Sequence, residues 1–311
     1  MLKKISSLKL LGILIVLTLV YFASNYFSKG SRSASLRSEL VSIDTAKVSK
    51  ILISGPEEHL ELIKTNSDWV LNLANDKQVT ALPDKVKNTL SSLLSIKPGR
   101  MATKDRAKWK DYQVDSTGTR VQIFEGEQNT LDLVVGRFGM VGQRQFHSFV
   151  RLFEDTEVYT ADNFMGLSGG SQSSSYRDQN LLKIEPDSIT NINFQYPGDS
   201  SFQLVRQDSL WLINQAQKAD SAALASYLVG LRSVTSDQFA DLVDPASLND
   251  AISELTIDSK TEGPVTIKAF SLPGQYELIY HSSLNPDAYF QDTTLATKLL
   301  RGMEHFVSEE E

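Results

Sequence analysis

A pattern of three short strands, the third with a tryptophan, occurs twice in this chain and constrains its fold more than any other feature. The first copy reads VSKILIS, HLELIK and DWVLN from Val48; the second reads ITNINFQ, SFQLVRQ and LWLIN from Ile189. Polar and apolar residues alternate, which is typical of strands with one buried face. Trp69 and Trp211 follow the two starting points by 21 and 22 residues. The repeat predicts two similar domains.

An amphipathic helix is expected after each set of strands. Short helical segments should then follow at 104–111 and at 245–253, with further strands after each of them. The second copy is expected to close with a helix that carries Leu295, Leu299, Met303 and Phe306 on one side. Because tight turns rather than helices join most consecutive strands, the sheets should be antiparallel. The predicted fold class is α+β: two similar repeats of antiparallel sheet plus packing helices, preceded by one N-terminal transmembrane helix.

The predicted domain boundaries place the first repeat at 38–166 and the second at 183–307. Residues 167–182 are interpreted as a flexible linker and joint, since LSGGSQSSS at 167–175 is small and polar. Arg177 and Asp178 are expected to pair and to fix this joint. Residues 1–37 form a predicted anchor and tether, and the acidic tail 308–311 should be disordered.

The apolar run LLGILIVLTLVYFA begins at Leu10 and follows three lysines. With its flanks, residues 8–27, it reaches the length of about 20 residues that spans a bilayer. A cleaved signal peptide is the alternative, but Tyr26 and Phe27 are unlike the small residues at a cleavage site, so an uncleaved signal anchor is favoured. A first apolar segment of this kind normally directs export. The body is therefore expected on the extracytoplasmic side of the inner membrane.

The charge distribution excludes one class of partner. Residues 1–37 hold six Lys/Arg and no Asp/Glu, which leaves 25 basic and 38 acidic residues, a net charge of −13, for the body. Nucleic-acid binding requires clustered Lys and Arg, so no nucleic-acid partner is expected. The chain has no cysteine, which fits an oxidising compartment without requiring one.

Motifs with catalytic or nucleotide-binding chemistry are weak. LSGGSQ at 167–172 resembles the signature loop of ABC ATPases, but no phosphate-binding P-loop accompanies it, so no nucleotide is expected. The glycines of 136–142 are interpreted as a turn between strands. Paired acids such as Glu57-Glu58 are interpreted as solvated surface. The histidines are far apart in sequence and lack the close spacing of a zinc site; they are His59, His147, His281 and His305. We predict no catalytic residue, cofactor or metal.

The tryptophans allow two interpretations. Trp69, Trp109 and Trp211 could form a platform for stacking sugars. For Trp69 and Trp211 a place in the core is favoured, because both recur at the same repeat position beside apolar residues.

The chain resembles a bacterial family catalogued as domain of unknown function 4340. The resemblance is carried by Asp44-Thr45, Lys50–Ile53, Trp69, the Leu90–Leu94 helix and the aromatic-Arg-Asp joint at Tyr176–Leu182. Gln113 departs from it, because the resemblance leads us to expect glycine after Tyr112. Members are often encoded beside gliding-associated or ABC-type membrane transport components. The resemblance therefore implies an accessory envelope role and assigns no catalytic residue.

The expected function is that of a membrane-anchored, non-catalytic envelope protein with an accessory or scaffolding role and a protein partner in the envelope or inner membrane. One alternative is a module that binds envelope polysaccharide in a groove between the copies. A hydrolase is the other alternative, because a catalytic triad can assemble in space without a sequence signature.

Overall fold

The computed structural model describes residues 39–308, except 57, 74–76, 142–144, 168–169 and 273–276. This part of the chain forms two compact units, one of residues 39–78 and 83–171 and the other of residues 79–82 and 172–308. The predicted anchor at 8–27 lies outside the described residues. Among the residues that are described, no helix is long and apolar enough to cross a membrane.

The first large sheet is built from nine strands in the order β4-β3-β2-β1-β6-β7-β8-β9-β5. Its neighbours from β3 to β5 pair antiparallel. The elements are β1 Val48–Ser54, β2 His59–Thr65, β3 Asp68–Asn72, β4 Gln78–Ala81, α1 Pro83–Leu94, β5 Pro98–Thr103, a 3-10 turn Arg106–Lys108, α2 Trp109–Tyr112, β6 Thr119–Glu125, β7 Gln128–Val141, β8 Gln145–Leu152 and β9 Val158–Asp162.

One face of this sheet carries the main core of the first unit. Alternate residues such as Ile51, Leu62 and Leu133 are buried there. Val86 and Leu93 of α1 are buried as well, as the helical spacing of the apolar residues predicts. The opposite face holds a smaller cluster under α2, which consists of Val114, Val134, Phe149 and Val158 with Trp109 and Tyr112 against it.

The second large sheet contains eight strands in the order β14-β13-β12-β11-β16-β17-β18-β19, and β10 pairs with β15 in a separate small sheet. Its elements are β10 Asn180–Lys183, β11 Ile189–Gln195, β12 Phe202–Gln207, β13 Leu210–Ile213, β14 Gln217–Lys218, α3 Ser221–Leu231, β15 Ser233–Thr235, β16 Ser253–Ser259, β17 Val265–Ser271, β18 Leu278–Ser282, β19 Asn285–Phe290 and α4 Thr294–Leu299. The 3-10 turns are Ser173–Tyr176, Pro186–Ser188, Pro245–Ser247 and Met303–Phe306.

The two large sheets share one plan, as the sequence repeat predicts. Each begins with four consecutive strands followed by a helix, and a later strand, β6 or β16, pairs beside the first one. The strand directly after the helix differs, because β5 joins the far edge of the first sheet whereas β15 pairs with β10. The tight turns after β2 and β12 even place Asn66 and Asp208 at similar positive φ values, 58° and 53°. The fold is mostly antiparallel β with few helices. The sequence-based α+β prediction therefore gave the helices too large a share.

Three local predictions are wrong. The glycine-containing segment 136–142 was expected to be a turn, but β7 continues as far as Val141, which pairs with Gln145. The strand pairing has a β-bulge between Val135 and Phe138, and Gly136 lies in it. A side chain does not fit there, because a Cβ at Gly136 would lie 2.2 Å from the Tyr112 carbonyl oxygen. This glycine therefore serves close backbone packing inside a strand.

The second wrong prediction concerns the long closing helix. Its α-helical part ends at Leu299, and a separate 3-10 turn follows at Met303–Phe306. Phe306 is buried among aromatic rings of the second core, whereas Met303 is 41% exposed. The helical segment expected at 245–253 is also shorter, limited to Pro245–Ser247, although Asp244 does cap it by accepting from the Ala246 N–H.

The backbone conformation of Gln113 explains why glycine is expected at this position. It ends α2 in the left-handed conformation, with φ 53° and ψ 41°. Since this conformation is unfavourable for residues with a Cβ, Gln113→Gly is expected to raise the free energy of unfolding by about 0.5–1 kcal/mol. Urea denaturation checks this, with Gln113→Ala as the matched control that should give no gain. Equal midpoints for the glycine and alanine variants would contradict the prediction.

Candidate functional site

Both repeat tryptophans lie on the core-facing side of their sheets. Trp69 in β3 is 7% exposed and stands opposite Lys64. Trp211 in β13 pairs with Arg206, which like Lys64 is basic. Its side chain is half-buried and packs against the hydrophobic core of the second unit. Trp109 is half-buried as well, and its Nε1–H donates to the Thr156 carbonyl at 3.3 Å. None of the three tryptophans is exposed, so they do not form an open stacking platform.

Arg151 is a buried cation that sequence reasoning missed. Its guanidinium is stacked on the Trp109 ring, with its central carbon 3.8 Å from the ring centroid. It donates to the carbonyls of Val114, Leu152, Phe153 and Asp155 at 2.6–3.2 Å. Burial lowers the pKa of Arg151 from its ordinary value, because the charged form loses hydration. The side chain thus secures the turn after β8 and the end of α2.

The four histidines belong to different elements. His147 is buried in β8, and His281 contacts the Pro286 carbonyl through Nε2 at 3.0 Å. His59 and His305 are exposed on other elements. Within the described ranges, no group of three His, Asp or Glu side chains is placed to hold a metal ion.

The most exposed apolar surface of the first unit lies on the far half of the β7–β8 hairpin, which we call the arm. Phe138 and Met140 are 44% and 61% exposed. Both side chains share a face with Phe146, since Met140 pairs with Phe146 and the Phe138 and Phe146 rings lie 6.0 Å apart. Met165, 56% exposed, follows Phe164, whose carbonyl accepts from the Ser148 hydroxyl on this same face.

The arm projects from the end of the sheet opposite the start of β1. Val48 of β1 pairs with Glu125, and Glu125 pairs with Gln128 at the start of β7. From Gln128 to Val141 the strand covers about 40 Å. The described chain near Asp44 lies at the starting end, where the Asp44 N–H donates to the Glu125 carboxylate at 2.8 Å. The arm surface is therefore remote from the point where the N-terminal segment enters the body.

The arm is also basic within an acidic body. Residues 136–153 include Arg137 and Arg144 and contain no Asp or Glu. Arg137 is exposed, and its guanidinium lies over the Phe149 ring, 5.2 Å from the centroid. The arm thus carries its apolar side chains on one face and the Arg137 guanidinium on the other.

The family described as "Domain of unknown function (DUF4340)" matches residues 69–258. The chain belongs to this family. The match begins at Trp69 and ends in β16, so this DUF4340 protein carries the family sequence across parts of both units. No curated protein and no solved structure matches the chain.

The aromatic-Arg-Asp joint of this DUF4340 protein differs from the pairing expected from its sequence. Arg177 does not pair with Asp178; it forms a two-pronged ion pair with Asp241, at 2.6 and 3.0 Å, and stacks on the Phe239 ring. The Asp178 carboxylate instead accepts from the backbone and side-chain amides of Asn180. Asn180 lies at the start of β10, so Asp178 orders the entry to that strand. Arg177 and Asp178 therefore make separate contacts.

Proposed function

We propose that this protein is a non-catalytic accessory protein of the cell envelope. Residues 8–27 anchor it in the inner membrane, the body lies on the extracytoplasmic side, and the arm docks on a protein partner. The observation that carries the proposal is the exposed apolar surface of Phe138 and Met140 on a projecting hairpin, with Met165 exposed in the segment after β9. Apolar surfaces of this kind on a water-soluble body commonly mark interaction sites. The family resemblance favours a partner in an ABC-type transport or gliding-associated complex.

The partner's chemistry follows from the arm. Aromatic rings and methionine provide adaptable apolar contacts. A complementary partner offers an apolar groove for Phe138 and Met140. Because the arm lies about 40 Å along β7 from the end where the anchor segment enters, such a partner would be met away from the membrane surface. It is therefore a protein with its own extramembrane part.

Site-specific photocrosslinking in intact membranes tests the docking. A photoreactive amino acid at Met140 is expected to give a discrete adduct with one protein. The matched control is Val229, which is 66% exposed on α3 in the second unit and should give none. Phe138→Ser should reduce the adduct severalfold without lowering the midpoint of thermal unfolding, because that side chain is exposed.

Three results would contradict the proposal. The first is an equal adduct at Val229, and the second is no adduct at Met140. The third is an adduct of twice the chain mass, which would identify a second copy of this chain as the occupant.

A further inference from the structure

Beyond Val135, one edge of strand β7 has no neighbouring strand among the residues that the structure describes. β6 pairs with β7 only from Gln128 to Val135. The chain that precedes β6 turns where the Gly118 N–H donates to the Asp115 carbonyl, so β6 does not continue alongside the arm. On the other side, β8 accompanies β7 as far as Val141. The arm therefore has one paired edge and one free edge.

The free edge presents the backbone groups of Phe138 and Met140. In an antiparallel pair, the N–H and C=O of one residue point to the same side of the strand, and successive residues alternate. The Phe146 carbonyl accepts from the N–H of Asn163, which follows β9, at 2.9 Å, so the backbone groups of Phe146 point away from β7. Its cross-strand partner Met140 then points its own N–H and C=O away from β8. Phe138, which is paired with Ser148, does the same.

The free edge lacks the usual protection against strand pairing. Soluble proteins commonly protect such edges with charged residues, proline or a bulge, because the unpaired backbone groups form a template for another strand. The segment from Phe138 to Val141 contains neither a charged residue nor proline. The β-bulge at Gly136 lies before this segment and not within it. The backbone of the edge is therefore open to a further strand.

The described part of the second sheet has no such extension. β17 corresponds to β7, because each pairs with the strand that lies beside the first one of its sheet. β17 is seven residues long, and β16 together with Ile252 pairs with it as far as Ala269. β7 is 14 residues long and continues from Gly136 to Val141 beyond its last partner in β6. The shared strand plan thus does not require the arm.

We propose that the free edge of the arm takes up an extended segment of the partner protein as an additional strand. This inference rests on the proposed docking of the arm and specifies how the partner binds. Phe138 and Met140 supply two N–H donors and two C=O acceptors, and an extended peptide is the occupant that matches them. Alternate side chains of that peptide would lie beside Phe138 and Met140 on the apolar face, so they should be apolar as well.

A second copy of this chain fits the edge less well than a partner does. Pairing of two arms through residues 138–141 would extend over only about 13 Å of each strand. The area buried by that pairing alone would remain far below the roughly 1,200–2,000 Å² of a stable interface. A strand of a partner is continuous with the rest of that protein, which can also cover the apolar face of the arm. The edge and the face then form one binding site.

Mapping photocrosslinks from two positions tests the strand addition. Benzoylphenylalanine is placed at Phe138 or at Met140 of the full chain in intact membranes, and mass spectrometry identifies the attachment residue on the partner. Because residues on one face of a strand are two apart, the two probes are expected to attach to one peptide of the partner, about two to four residues from each other.

The outcomes of this mapping separate the two proposals. Attachment in separate segments of the partner would overturn strand addition and leave the docking of the arm intact. No adduct from either position would overturn both. An adduct of twice the chain mass would identify a second copy as the occupant and would also overturn both.

Met140→Pro supplies an independent test, with Met140→Ala as its matched control. Both variants replace methionine by a smaller apolar residue, but only proline lacks the backbone N–H. With the probe at Phe138, the proline variant is expected to give about one tenth of the adduct of the alanine variant, because the partner loses a backbone hydrogen bond and keeps an unpaired carbonyl. Since the Met140 N–H faces the free edge, the two variants should unfold at the same temperature. Equal adducts, or a clearly lower unfolding temperature for the proline variant, would overturn the proposal.

Discussion

Replacing Arg151 with Met is expected to lower the free energy of unfolding by about 3–5 kcal/mol. Methionine keeps an apolar chain beside Trp109 but leaves the carbonyls of Val114, Phe153 and Asp155 without the guanidinium that now donates to them. Each buried acceptor that loses its partner costs about 1–3 kcal/mol. Urea denaturation measures the loss, and Trp109 fluorescence reports it locally, because the guanidinium stacks on that ring.

Arg120→Met is the matched control for this prediction. Arg120 also stacks on an aromatic ring, that of Phe153, and donates to the Asp132 carboxylate at 2.6 and 2.8 Å. Its side chain is about one-third exposed, so its ion pair is screened by water and contributes about 1 kcal/mol or less. Equal losses for the two variants would contradict a special role for the buried Arg151.

The strands could be read from the sequence because their signal is local. β1, β3 and β11 have the predicted bounds, since alternation of polar and apolar residues directly reflects a sheet with one buried face. The sequence repeat also made the strand order of the sheets predictable. Two copies of one pattern imply one strand order, and the order of eight strands does recur; β5, the ninth strand of the first sheet, has no counterpart in the second.

The side-chain contacts could not be read, because their partners are remote in the chain. Arg177 has an acidic neighbour in Asp178 but pairs with Asp241, 64 residues later. Arg151 looks like an outward-facing residue of an alternating strand, yet α2 and the turn after β8 cover it. The candidate docking surface was missed for another reason. The glycines at 136–142 resemble a turn, so the sequence did not predict the arm.

Trp69→Ala is expected to cost about 3–5 kcal/mol, the range for removing a large buried aromatic side chain. Trp69 is 7% exposed and lies on the core face of β3, beside buried Leu71. Its loss would leave a cavity where the sheet meets the core. Trp69→Phe is the matched control and should recover more than half of the loss, because the ring is kept.

Trp211→Ala should cost less, about 1–3 kcal/mol, because the equivalent tryptophan is only half-buried and already gives part of its surface to water. Denaturant unfolding of both alanine variants measures the difference under identical conditions. Equal losses would mean that exposure does not decide the cost, and that the contacts of Trp211 with the second core match those of Trp69 with the first. Unchanged midpoints in both variants would contradict the core assignment altogether. The expected asymmetry would show that the two repeats keep one topology while the packing at the shared tryptophan position has diverged.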